Sequence, residues 1–569
     1  MLTNNTSDNS LLVTGSAQHQ RWGGLFCILW VLMFVLYLPA AKAGFVADFT
    51  GWLDQVKNHG FWEYINRTNF RVHSLYQVTQ FNTWVYYQLF GIQEWAWHLL
   101  FISLHAINAC LLFVLCAGIL DDAGVKDSRR ISFTGVVLFC ISPYLSEVVV
   151  WEPSFHFLQG LLMILLILVW MRKYVHTSNS KYAWWAAIVY LLSTHTLEVF
   201  YITPWLVLTL AVFYRAGGKI ERKVFTRVLL LFFVPELIMF CLRLVEFRVL
   251  YGGWVSRIGS EAAMAAPLTG LGKPAKYLFH MLLVGRFFPH DVKQKVYDFC
   301  DSAKSVVAFY SIVILICGFI AARFRKMSGN GKVASLLFVW MLITFVLLMP
   351  LWFGDLLLVI FDRYTYFTGA FIYMLIAVLA SFITMQYVRL GLLGVYALAN
   401  LRFAIQVSRY WGKAYRVDYG LLHGLPGLEN KTVVLLNLPE SIHGVAMIGS
   451  EPESEYKLMH NLLLPEQKIN NKVYDGLSYN METPDDGAHT LVLNDSMVRV
   501  TLNQWGTWWW YEARGGRSYE NEDYKLNMID GGHFYELTMK HPASQYILLY
   551  QVGDKWHTVD MNKRDGDQN

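Results

Sequence analysis

The stretch that decides the fold is Trp22–Ala40, W-G-G-L-F-C-I-L-W-V-L-M-F-V-L-Y-L-P-A, together with the neighbouring Gly44–Trp52, G-F-V-A-D-F-T-G-W. An uncharged apolar run of this length is enough to cross a bilayer. The chain then sets one carboxylate, Asp48, just past the membrane edge among apolar neighbours, a costly place for a charge that only has to be solvated. Asp48 is therefore the candidate catalytic base. The competing reading is a cap on a short interfacial helix.

Composition extends this from one span to many. The 569 residues are 55% hydrophobic and 16% aromatic, with a mean hydropathy of +0.35, which excludes an ordinary soluble domain and describes a multi-span membrane protein. The net charge of +5 is unevenly placed: residues 1–409 carry 33 Lys and Arg against 20 Asp and Glu, and residues 410–569 carry 14 against 22. The basic half holds its charges in loops between apolar runs, where anionic headgroups lie, so nucleic acid is not needed to explain it. All seven cysteines precede residue 318, mostly within apolar runs, so the acidic tail has no disulfide to form. Met1–Gln20 is polar, lacks a cleavage pattern and is expected to be a cytoplasmic tail before an uncleaved anchor.

Basic clusters fix the expected orientation, because Lys and Arg in short loops stay cytoplasmic. They fall at Lys126, Arg129 and Arg130, at Arg172, Lys173 and Lys181, at Arg215–Arg227, and at Arg323–Lys332. Between the first and second clusters, and again between Lys181 and Arg215, the chain must cross an even number of times, so each interval predicts a helical hairpin. The second hairpin has only 33 residues for two crossings, so its helices must be short or broken. Pro143 and Pro153 break the first near its turn. The spacing predicts about eleven spans, near 22–40, 95–118, 131–150, 154–172, 183–196, 198–214, 224–245, 306–324, 333–353, 365–384 and 389–409. The long loops 41–94 and 246–305 then face outward and read as amphipathic helices at the membrane surface.

From about Tyr410 the pattern changes to period two. T-V-V-L-L-N-L-P, H-T-L-V-L-N-D-S-M-V-R-V-T-L and Y-I-L-L-Y-Q-V-G-D-K-W-H-T-V read as strands, the last two as hairpins turning at Asn494-Asp495 and Gly553-Asp554. The expected organisation is a tail (1–20), an all-α polytopic core (21–409) and a β-rich extracytoplasmic domain (410–569). Within this last domain, W-G-T-W-W-W-Y at Trp505–Tyr511 reads either as a sugar-stacking platform or as core aromatics.

On this topology the ionisable residues gather on the external side. Glu147, Glu152 and His156 lie in one turn, His195 and Glu198 in the next, Arg286 in the long loop, and Asp355, Asp362, Arg363 and Tyr364 before the tenth span. Glu152 with His156, and His195 with Glu198, are spaced as ligand pairs, but neither supplies the three ligands a metal site needs, so no metal is favoured. Hydrogen-bonded polar pairs are the simpler reading.

Four segments together resemble a known family: W-H-L-L-F-I-S-L-H-A-I-N-A-C-L-L-F (Trp97–Phe113), L-F-C-I-S-P-Y-L-S-E-V-V-V-W (Leu138–Trp151), L-E-V-F-Y-I-T-P-W (Leu197–Trp205) and D-R-Y-T-Y-F (Asp362–Phe367). In order and spacing they resemble the membrane core of protein O-mannosyltransferase-like enzymes, of the C-type (GT-C) superfamily of membrane glycosyltransferases. The resemblance covers residues 21–409. It implies a polyprenyl-phosphate-linked sugar donor, a glycan, lipid or protein acceptor, an external active site and inversion at the anomeric carbon. Asp48 matches the family's acidic residue after the first span, whereas Phe49 stands where a second Asp is common, which argues against a metal-dependent version. Arg363 and Arg286 are the cations suited to the donor phosphate, and Glu147, Glu152, His156, His195, Glu198, Asp362 and Tyr364 would support the cavity. The setting implied is a bacterial-type inner or plasma membrane. A lipid-linked oligosaccharide polymerase or ligase is the rival enzyme, favoured by the long 246–305 loop. The rival non-enzyme is an anchor carrying a carbohydrate-binding β domain.

Eleven crossings from a cytoplasmic start leave the carboxy terminus outside. Reporter fusions after Arg409 and at Asn569 should both read extracytoplasmic; a cytoplasmic signal at Asn569 means that one hairpin is a single helix.

Overall fold

The computed structural model describes residues 10–40, 45, 49–66, 76–196, 201–218, 220–252, 269–283, 285–348, 362–424, 431–448, 455–503, 509–511, 514–529 and 533–562. Helix α1 (Ser10–Tyr37) is followed by α2 (Phe49–Asn58), α3 (Phe61–Ile65), α4 (Gln77–Phe90) and the long α5 (Glu94–Asp122). Next come α6 (Ser128–Cys140), the short α7 (Ser146–Val150), α8 (Phe155–Thr177), α9 (Ser180–Ser193), α10 (Thr203–Ala216) and α11 (Arg222–Tyr251). After these are α12 (Thr269–Leu282), α13 (His290–Asp301), α14 (Ala303–Arg323), α15 (Gly329–Phe345), α16 (Tyr366–Ala380) and α17 (Gln386–Gly424).

Every apolar stretch expected to cross a membrane carries helix, but the count of eleven crossings is not established. Among the described residues six helical segments are individually long and apolar enough: Glu94–Asp122, Glu152–Thr177, Arg222–Glu246, Ala303–Lys326, Asp362–Ala380 and Gln386–His423. The bent pair Ser128–Cys140 and Pro143–Val150 makes a seventh if it counts as one span. The short interval carries two short helices, α9 and α10, each of 14 residues. At 1.5 Å per residue each reaches about 21 Å, short of the roughly 30 Å hydrocarbon layer. The loop segments 41–94 and 246–305 both carry helices, as their mixed pattern predicts.

Burial separates a packed interior from a lipid-facing exterior. α5 packs against α1, α6 and α8, and α16 against α6 and α15. Gly135 of α6 sits so close to Met374 of α16 that a Cβ there would overlap its sulfur. By contrast α14 buries none of its residues although it is wholly apolar along its middle. An exposed apolar helix of this length needs lipid around it, and the chain is an integral membrane protein.

A 59° bend between α6 and α7 decides where the carboxylate of Glu147 goes. Pro143 has no N–H to continue the helix, so the chain turns there. Ser142 accepts a hydrogen bond from the Tyr144 N–H at 3.4 Å and pairs with the Tyr373 hydroxyl at 2.6 Å. The bend turns α7 inward, and every residue from Ile141 to Phe155 is buried.

α17 is 39 residues long, so the border expected at residue 409 falls inside a helix, and strand structure begins at Thr432. The tail holds α18 (Glu455–Leu463) and two sheets. The strands are β1 (Thr432–Ile442), β2 (Val445–Ala446), β3 (Val473–Met481), β4 (Ala488–Asn494), β5 (Met497–Leu502), β6 (Trp509–Tyr511), β7 (Arg514–Gly515), β8 (Tyr519–Glu520), β9 (Tyr524–Ile529), β10 (Phe534–Met539), β11 (Tyr546–Val552) and β12 (Lys555–Thr558). One sheet runs β12-β11-β1-β3-β6-β7 with β2 on β1, the other β4-β5-β10-β9-β8. Both expected hairpins form, as β4–β5 and β11–β12. The sequence pattern did not indicate that β1 runs parallel to both β3 and β11. Its continuous apolar run suits a strand covered on both faces.

α17 fastens the two parts together. Its Trp411 Nε1 reaches Ser146 Oγ at 3.4 Å, Lys413 and Arg416 both pair with Asp554 of the β11–β12 turn, and Trp556 Nε1 donates to the Val417 carbonyl at 3.0 Å. The Lys413 side chain is only 5% exposed. Asp554→Asn leaves that cation without a full counter-charge, and the apparent melting temperature should fall by an amount corresponding to about 1–3 kcal/mol. Glu522→Gln, at the exposed Lys472 pair, should leave it nearly unchanged. Equal shifts would dismiss the clamp.

Candidate functional site

The site is built around two neighbours of opposite charge, Asp362 and Arg363, on a 3-10 turn that opens into α16. Consecutive residues on a helical turn diverge and cannot pair with one another. Each finds a distant partner instead. The Arg363 backbone N–H donates to Glu147 Oε2 at 2.7 Å, and its guanidinium Nη1 pairs with Glu147 Oε1. The same guanidinium lies 4.8 Å from the Trp151 ring and 5.1 Å from the Tyr364 ring. That geometry adds cation–π attraction to the ion pair.

Asp362 turns the other way. Its Oδ2 takes Arg286 Nη2, and its Oδ1 accepts from His280 Nε2 at 2.9 Å. Asp362 and Arg286 are fully buried and His280 is nearly so. Burial holds His280 below the ordinary imidazole range, against the pull of Asp362, with the positive charges of Arg286 and Lys293 adding to the push. A neutral His280 donates one N–H to Asp362, so the carboxylate accepts from a cation and from a neutral ring. The Arg286 guanidinium also sits 5.7 Å from the Tyr144 ring, whose centre lies 4.6 Å from that of His280.

Arg286 uses only part of its hydrogen-bonding capacity. Its Nε and Nη1 are buried and have no partner among the described residues. An unpaired buried donor costs on the order of 1–3 kcal/mol, more when charged. A guanidinium with one edge held by a carboxylate and the other edge vacant is built to receive a second anion.

The predicted residues fall into three groups. Glu147, Asp362, Arg363, Tyr364 and Arg286 stand together, and His156 lies at their edge, where it stacks on Tyr76 at 6.2 Å beside Phe157, itself in contact with Tyr364. Glu152 does not meet His156. It faces His98 of α5 at 3.4 Å, and both of its buried carboxylate oxygens lack a hydrogen bond among the described residues. His195 belongs elsewhere, bonded to Gln77 Oε1 at 2.8 Å and close to Arg243 Nη2 at 3.4 Å. Asp48, Glu198 and Asp355 lie outside the described residues. Among the described residues no three His, Cys, Asp or Glu side chains are grouped as metal ligands.

Sequence reasoning missed His280, Tyr144, Tyr277, Lys293 and His98. Tyr277 and His280 are spaced three apart on α12, a signal for one helix face, but nothing in the sequence says that this face meets Asp362. In the tail, Trp509 is buried at 3% exposure and packs edge-on against Tyr535, so it is core and not a sugar platform. Trp505 lies outside the described residues.

The chain is similar in outline to solved structures of ArnT. The crystal structure of ArnT from Cupriavidus metallidurans bound to undecaprenyl phosphate is 13% identical, with 81% of this chain and 93% of that one covered and a TM-score of 0.30. The apo ArnT structure from the same organism is 10% identical, covering 82% and 94%, with a TM-score of 0.29. Likeness at that level carries no argument about function. No family model and no curated protein matches. The O-mannosyltransferase-like resemblance therefore stays a resemblance.

Breaking the Glu147–Arg363 pair on one side leaves a buried charge, so Arg363→Ala should lower stability by about 3–5 kcal/mol. Combining Glu147→Leu with Arg363→Met should recover most of it. The check is thermal unfolding in detergent of both single variants and the double; a double variant as unstable as the singles would mean that the pair is not the determinant.

Proposed function

We propose that this protein is an inverting membrane glycosyltransferase that moves a sugar from a polyprenyl-phosphate donor to a hydroxyl acceptor on the extracytoplasmic face. The observation that carries the reading is Arg286, a fully buried guanidinium with one edge fixed by Asp362 and two N–H-bearing nitrogens unpartnered among the described residues. A leaving phosphate is the anion such a donor pair suits, because charge grows on it as the glycosidic bond breaks.

The step balances with few groups. The acceptor oxygen bonds to the anomeric carbon on the face opposite the phosphate, and the C–O bond to phosphate breaks with its electron pair going to the phosphate. The hydroxyl proton goes to a carboxylate, for which Asp48 is the candidate. No acid is needed at the leaving oxygen, since a phosphate leaves unprotonated, unlike the alcohol released by a glycoside hydrolase. Glu147 and Asp362 hold Arg363 and Arg286 in place and so act as positioning residues.

Sugar transfer from a panel of polyprenyl-phosphate sugars by the purified chain tests this. Asp48→Asn should keep the melting temperature and lower turnover by about a hundredfold or more, the usual scale for a positioned base. An Asn cap serves almost as well as Asp, so a folded and fully active Asp48→Asn protein removes Asp48 as the base and leaves Glu147 and Glu198 as the remaining candidates.

A further inference from the structure

Arg286 is not the only underused cation in its neighbourhood. Lys293, one turn into α13, is a residue only 5% exposed, and its side chain makes no hydrogen bond or ion pair with any described residue. Burial pulls its ammonium below the ordinary lysine range; Glu482 of the tail opposes that, and the positive charge of Arg286 reinforces it. Two cations close enough to repel one another, one of them with buried donors left unused, are an expensive arrangement unless an anion comes between them.

The other wall of this place belongs to the β domain. The β1–β2 turn is His443-Gly444, with φ of +46° and +78°. Left-handed geometry at both positions ordinarily selects Asn-Gly or Gly-Gly, and a His there costs roughly 1 kcal/mol. The ring gives a reason for its presence. It stacks on Tyr410 at 5.4 Å and on Phe287, the residue after Arg286, at 6.3 Å, and its Nε2 bonds to the Glu482 carbonyl oxygen at 2.6 Å. Phe287 in turn stacks on Phe403 of α17 at 4.0 Å. The His443 turn thus presses the Arg286 segment against α17 and brings the Glu482 carboxylate within the field of Lys293 without an ion pair between them.

We infer that Lys293 and Arg286 form a phosphate-monoester site roofed by the β domain, in which Glu482 is the internal counter-ion that a bound phosphate replaces. The inference rests on the proposed function for the identity of the phosphate as that of the polyprenyl phosphate released from the donor, and it assigns a role to the tail: completing the site from outside the membrane core. A phosphate would take the vacant Nε and Nη1 of Arg286 on one side and the Lys293 ammonium on the other, while His443 keeps the Arg286 segment from swinging away.

The test measures binding to the full chain in detergent, with farnesyl phosphate, inorganic phosphate and farnesol as probes, independently of any transfer assay. Lys293→Met should weaken farnesyl phosphate about tenfold or more, the scale of one charge-assisted hydrogen bond, and Lys293→Arg should retain most of the affinity. Glu482→Gln, which keeps shape and removes the competing charge, should tighten farnesyl phosphate several-fold and leave farnesol unchanged. Farnesyl phosphate bound much more tightly than inorganic phosphate identifies the lipid as the source, and equal binding identifies the free anion; both support the pair. Unchanged affinity in Lys293→Met, or no tightening in Glu482→Gln, overturns the inference. If Lys293→Met does not fold, the Glu482→Gln arm decides alone. Loss of farnesyl phosphate binding in Arg286→Ala but not in Lys293→Met would leave the proposed function standing without Lys293, whereas tight binding in both would sink the two together.

Discussion

Two charges one residue apart cannot satisfy each other on a helical turn, and much of this structure depends on how Asp362 and Arg363 solve that problem. Once buried, each must be paired, because an isolated charge in a low-dielectric interior costs several kcal/mol. Arg363 draws Glu147 from 216 residues earlier, and Asp362 draws Arg286 and His280 from the segment before α13. The turn is therefore a pin through three separate parts of the chain. The bend at Pro143 is what lets α7 deliver Glu147 to it. The 3-10 geometry of Asp362–Thr365 points the two side chains apart.

The same pin explains why one side of the site is saturated and the other is not. Glu147 receives both the backbone and the guanidinium of Arg363, which in turn lies over Trp151 and Tyr364. That corner is held by ion pairing, hydrogen bonding and ring contact at once. Arg286 is held only along one edge and keeps buried donors unused among the described residues. A buried guanidinium is costly to leave with unmade hydrogen bonds, and an unused cationic edge is a place an anion can fill.

The tail is part of this arrangement and not a separate appendage. α17 runs unbroken from the apolar region into the tail, with Trp411 on Ser146 at one level and Lys413, Arg416 and Val417 on the β11–β12 turn at the next. A rigid helix shared by both parts fixes the height at which the β1–β2 turn meets Phe287. Domain motion would have to bend α17 or break the pairs on Asp554.

What the sequence determined by itself is whatever depends on local pattern. Apolar runs bounded by basic clusters located the helices, the shortness of the Lys181–Arg215 interval foretold the 14-residue α9 and α10, and alternation with Gly-Asp and Asn-Asp turns located the β4–β5 and β11–β12 hairpins. It also grouped Glu147, Asp362, Arg363 and Arg286 on one expected face of the membrane core. Only the tertiary structure decided who pairs with whom. Glu152 turned to His98 and not to His156 four residues on, His195 left the group for Gln77 and Arg243, and β1 took parallel partners at both sides. The physical reason is common to all of these: an ion pair or a parallel ladder joins residues tens to hundreds of positions apart. Its choice is set by which buried charges would otherwise stay unpaired once the helices are packed, and no local periodicity records that.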